Sequence, residues 1–146
     1  MARRTQQQRR DERRARATAE RVTADQTRGE YRPPDRSTCT ERSWYQSVDD
    51  ADTVRVDHRL FRSGGRLVDF AILVHTLDID GEWIEAARVD CCHGYVHLHH
   101  TSGEVSGIGP VHRADDVAAL FAVASDQAMR YAVTIRDMKG RDERDV

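Results

Sequence analysis

The run Arg88-Val89-Asp90-Cys91-Cys92-His93-Gly94-Tyr95-Val96-His97-Leu98-His99-His100 carries four of the chain's seven histidines. Imidazole titrates near neutrality, so a pair of histidines held together can act as base and acid in one reaction. In an extended strand Val96 and Leu98 point to one face and Tyr95, His97, His99 and Thr101 to the other, which aims two imidazoles the same way. Gly94 permits a tight turn at the start of that strand. The preceding strand would then return alongside, with Ile84, Ala86, Arg88 and Asp90 on one of its faces. Whether Arg88 and Asp90 share the histidines' face depends on the pairing register.

Three chemistries fit these residues. In the first, one imidazole removes the 2′-hydroxyl proton of RNA, another protonates the leaving oxygen, and the Arg88 guanidinium stabilises the charged phosphorane without a metal or other cofactor. His97 and His99 are then the acid–base pair, with Asp90 and His93 as supporting groups. In the second, His97 and His99 bind a metal together with His93 or Glu104, a spacing loosely similar to the first metal motif of cupins. In the third, Cys91 or Cys92 is a nucleophile beside His93. The bland reading is a solvated strand face that happens to be rich in histidine.

The charge is divided along the chain. Residues 1 to 28 hold nine Arg against four acidic residues, a net of +5, whereas the remainder has 14 basic against 21 acidic side chains, a net of −7. Arg3, Arg4, Arg9, Arg10, Arg13 and Arg14 form three adjacent pairs suited to gripping RNA phosphates, with strong salt dependence. Equally, a basic arm suits the acidic body of a second copy or of a partner protein. No apolar run approaches the ~20 residues that span a bilayer, and no signal-peptide pattern opens the chain, so a cytoplasmic protein without a membrane partner is expected. Three cysteines, two of them adjacent, fit a reducing compartment.

The elements that must position the histidines follow from periodicity. Thr53 to Phe61 alternates Val54, Val56, His58 and Leu60 against Arg55, Asp57 and Arg59, a half-buried strand. Leu67 to Ile79 is apolar on both faces at its centre, which predicts a central strand covered on one face and partly on the other. In it, His75 reads as a core or interface histidine. A turn at Asp78-Ile79-Asp80-Gly81 leads to strands over Trp83 to Cys91 and Tyr95 to Thr101, with a short fifth strand at Glu104 to Ile108. Gly107-Ile108-Gly109-Pro110 reads as a connector. Asp115 and Asp116 then open an amphipathic helix with apolar residues at Val117, Leu120, Phe121, Ala124, Ala128, Tyr131 and Ile135. The expected fold is α+β: a four- or five-stranded antiparallel meander packed against one long C-terminal helix. A basic arm (1–28) and a linker (29–52, with Trp44 and Tyr45 pinning it down) precede the domain (53–146).

Arg88, Asp90, His93-Gly94, His97 and His99 together resemble the signature of the TumE-type toxins of bacterial toxin–antitoxin systems, over about residues 53–139. The resemblance implies a small α+β domain with ribonuclease-like, growth-inhibiting activity and a cognate antitoxin. The expected function is a toxin-like ribonuclease whose partners are RNA and that antitoxin, with a homo-oligomer as a further partner state. The alternative is a non-enzymatic nucleic-acid- or protein-binding module whose histidine strand is a surface or metal site.

Overall fold

The computed structural model describes residues 5–14, 28–90 and 94–144. Six antiparallel strands form one meander in the order β1 (Thr40–Ser47), β2 (Val54–Ser63), β3 (Arg66–Leu77), β4 (Trp83–Asp90), β5 (Tyr95–His100) and β6 (Val105–Pro110). A short exposed helix, α1, covers 6–14, and α2 runs over Asp115–Arg144. The α+β class and the long C-terminal helix are as expected, but the sheet has six strands rather than four or five. The added strand, β1, lies inside the stretch read as linker. It is an edge strand on which only Trp44 turns even partly inward, so no apolar alternation marks it.

The other edge also departs from expectation. Gly107-Ile108-Gly109-Pro110 belongs to β6 and is no connector. Its glycines admit close neighbours: a Cβ on Gly109 would lie 2.9 Å from Leu120 Cδ2 on α2, and one on Gly107 would lie 2.8 Å from the Tyr95 hydroxyl. Proline is tolerated at an edge, where a missing N–H costs little.

One sheet face is covered by α2. Val54, Val56, Leu60, Phe70, Ile72, Val74, Ala87, Val89, Val96 and Leu98 meet Val117, Ala124, Ala128 and Ala132, all buried. The alanines let the helix lie close to the sheet, and Phe121 fills the wider gap edge-on to Phe70, centroids 5.3 Å apart. The Asp116 carboxylate accepts from the backbone N–H of His112 and Arg113, each at 3.0 Å. These bonds hold its pKa below the ordinary carboxylate value and satisfy donors at the helix start. His112 is thus a helix-cap residue. At the far end the only lysine, Lys139, donates to the Leu77 carbonyl at 2.9 Å, and Arg136 donates to the Val48 carbonyl at 3.1 Å. The C-terminal part of the helix is therefore fastened to the chain at the ends of β1 and β3.

The segment ahead of β1 closes one end of the sheet: its Tyr31 packs on the helix-side core, and its Arg36 reaches the opposite face. Gly29 N–H donates to the Gly94 carbonyl (2.9 Å), Tyr31 N–H to the Val111 carbonyl (3.1 Å) and the Tyr31 hydroxyl to the Val68 carbonyl (2.6 Å). Arg36 then pairs with buried Asp69 at 2.8 Å and lies 4.5 Å over the ring of buried Phe61. Among the described residues, this strap of residues 29–36 leaves the rest of the face open. That agrees with a central strand buried on one side and partly on the other.

Candidate functional site

Register decides what stands on the open face. In the β4–β5 ladder Arg88 lies opposite His99 and Asp90 opposite His97. Val89 and Leu98, paired between them, face α2 and are buried. Arg88, Asp90, His97 and His99 therefore share one face, the condition that sequence alone left open. The His97 and His99 rings are 5.7 Å apart and tilted by 57°, and Tyr95 leans on His97 at 4.5 Å. His99 is exposed and His97 half-buried. The His100 ring lies edge-on to Tyr131 on α2 at 4.7 Å.

Arg88 donates through Nε (3.0 Å) and Nη2 (2.8 Å) to the Glu85 carboxylate. The pair edges a depression of about 270 Å³ that His99, His100 and Thr101 also line. No described group of three His, Cys, Asp or Glu side chains is gathered closely enough to hold a metal ion. Cys91, Cys92 and His93 lie outside the described residues, as do Arg3 and Arg4. Arg9, Arg10, Arg13 and Arg14 lie on α1, whose residues are all exposed.

Two groups on the open face were not anticipated. His75, read as a core or interface histidine, is half-buried on the sheet surface rather than in the core: its Nδ1 lies 2.5 Å from Asp57 Oδ2, and the two side chains are about one-quarter and one-third exposed. Arg55 lies between the rings of Tyr45 and Trp83, 4.4 and 4.1 Å from their centroids, and is ion-paired with Asp52 at 2.7 Å. Alternation already placed Arg55, Asp57 and Arg59 together on the polar side of β2. The cross-strand partners on β1, β3 and β4 depend on register and could not be read. The arginines are committed to carboxylates, since Arg59 holds Glu41, and Arg55 holds Asp52, below the usual carboxylate range through hydrogen bonds.

On the helix side, His58 is buried rather than merely isolated. It stacks on Trp44 (4.8 Å, 9°) and its Nε2 meets Ser125 Oγ at 3.2 Å, whereas its Nδ1 has no partner. Burial pushes its pKa below the ordinary imidazole value, against the opposing charge of Asp57.

A family model described as a domain of unknown function (DUF7718) matches residues 38–134. The chain belongs to the DUF7718 family. The DUF7718 match begins just before β1 and ends within α2, so the edge strand missed by periodicity lies inside the family's domain and the basic arm lies outside it. No curated protein and no solved structure matches the chain. No described helix is long and apolar enough to cross a membrane.

Proposed function

We propose that this DUF7718 protein is a metal-independent, toxin-like ribonuclease acting in the cytoplasm, with its centre on the open face of β4 and β5. The observation that carries the reading is the register that sets Arg88 and Asp90 opposite His99 and His97. One imidazole takes the 2′-hydroxyl proton as that oxygen attacks phosphorus. The second gives a proton to the departing 5′-oxygen, leaving a cyclic phosphate and a free hydroxyl. Arg88 exchanges Glu85 for the phosphoryl oxygens as charge accumulates there. Asp90 supports the site, and the arginines of α1 contribute non-specific phosphate contacts. The resemblance of Arg88, Asp90, His93-Gly94, His97 and His99 to the signature of TumE-type toxins points to the same reading, with a cognate antitoxin as the expected partner.

The test is cleavage of mixed RNA by wild type and His97→Ala, each with and without EDTA. Activity that survives EDTA and is lost in His97→Ala is the expected result. Activity abolished by EDTA would transfer the histidines to a metal site. No cleavage by the wild type under any condition would favour a binding module, a reading consistent with the open-face arginines Arg55, Arg59 and Arg88 each being paired with a carboxylate.

A further inference from the structure

We infer that the depression around the His75–Asp57 pair seats an unpaired nucleobase, so that the substrate class is single-stranded RNA lying across the open face. The inference rests on the ribonuclease reading for its biological meaning, but the seat has its own chemistry.

The depression has a volume of about 360 Å³; Ser43, Tyr45, Asp57, Arg59, Leu73 and His75 line it together with Trp44 and His58 of the same strand pair. Charge selects what fits there. A phosphate would face the Asp57 carboxylate, while Arg59 is held at 2.7 Å by Glu41 and Arg55 by Asp52. An aliphatic ligand would cover the remaining ring nitrogen of His75 and the Asp57 carboxylate without meeting their further hydrogen-bonding capacity, which is costly on burial. A planar, neutral heterocycle with donors and acceptors on its rim satisfies both conditions. Leu73 supplies an apolar wall, and Tyr45, 55% exposed with Arg55 over its ring, offers an aromatic surface for stacking. The hydrogen bond to Asp57 engages His75 Nδ1 and leaves Nε2 to meet the rim of the base, while the carboxylate can accept from an exocyclic amino group.

The seat and the histidine pair are connected. His75 pairs with Glu85 in the β3–β4 ladder, Glu85 holds Arg88, and Arg88 lies opposite His99. Two strand spacings, roughly 10 Å, separate β3 from β5. One RNA strand of a few nucleotides spans that interval, with a base at His75 and a phosphate at His97 and His99. Unpaired bases are what proteins read most readily in RNA, by stacking together with hydrogen bonds to exposed edges.

The experiment titrates the full chain separately with the four nucleosides and with inorganic phosphate, following the His75 and Tyr45 ring signals by NMR. At least one nucleoside is expected to shift both signals saturably while phosphate does not. Tyr45→Ala and Asp57→Asn are expected to weaken that binding tenfold or more, and His97→Ala to leave it unchanged. Tyr45→Ala removes an exposed side chain, so it reports on the seat even if Asp57→Asn perturbs folding. The seat is overturned if no nucleoside moves the His75 signal at millimolar concentration, if phosphate alone moves it, or if Tyr45→Ala binds as tightly as wild type. Nucleoside binding without any RNA cleavage would uphold the seat and sink the ribonuclease reading. Cleavage of oligonucleotides with the same KM in wild type and Tyr45→Ala would do the reverse.

Discussion

Lowering the pH should destabilise this protein through His58 before its carboxylates titrate. An unfolded imidazole takes up its proton near 6.5, whereas buried His58 does so only at lower pH, because burial disfavours its charged form. Below pH 6.5 the unfolded chain therefore binds more protons, and stability falls with pH; above it, the contribution of the neutral ring is complete. Each pH unit between the unfolded and folded values is worth about 1.4 kcal/mol, so going from pH 6.5 to 5.5 costs up to about that much from this residue. His58→Leu removes the proton acceptor at similar volume. It also removes the unpartnered Nδ1, worth roughly 1–3 kcal/mol, against loss of the Ser125 contact and the Trp44 stack, each about 1 kcal/mol. The variant should match wild type within about 1 kcal/mol at pH 7.5 and be relatively more stable at pH 5.5. Urea unfolding followed by circular dichroism at both pH values measures the double difference. Equal losses in the two proteins between pH 7.5 and 5.5 would refute the argument.

Arg36→Met keeps an aliphatic stem over Phe61 but strips the counter-charge from Asp69, whose side chain is 4% exposed. Because Arg36 itself is 38% exposed, the expected cost is at the lower end for a broken buried pair, about 2–3 kcal/mol, read as a lower urea midpoint with unchanged slope. Glu85→Gln releases Arg88, so on the ribonuclease reading KM for RNA should fall several-fold; an unchanged KM would remove Arg88 from substrate binding. A Cβ on Gly29 would lie 1.9 Å from the Val111 carbonyl oxygen. Gly29→Ala should thus abolish hydrogen-exchange protection at the Gly29 and Tyr31 amides while leaving β2 and β3 protected.

Sequence patterning was most informative where burial is one-sided. Alternation in Val54–Leu60 and Tyr95–Leu98 shows which residues face α2, and Asp78 with Gly81 sets the turn, its carboxylate accepting from Asp80 and Glu82 N–H. Patterning gave no sign of β1, because an edge strand on which only Trp44 packs inward has no apolar period. The candidate site was legible as a list of side chains but not as an arrangement. Arg88 and Asp90 reach the histidines' face through a cross-strand register that periodicity does not encode, and the Asp57–His75 pair depends on the β2–β3 ladder in the same way. The same alternation put His58 on the helix side, whereas its stacking on Trp44 depends on the β1–β2 register.

The strap also imposes an order on biosynthesis. Tyr31 emerges early, yet its backbone partner Val111 lies 80 residues later in the chain. At about 5–20 residues per second, that delay lasts roughly 4–16 s. Until Val111 is made, the strap cannot complete its clasp, and the basic segment ahead of Gly29 has no finished body to be tethered to. The end of the sheet that carries Gly29, Gly94 and Val111 therefore closes only once β6 has been made.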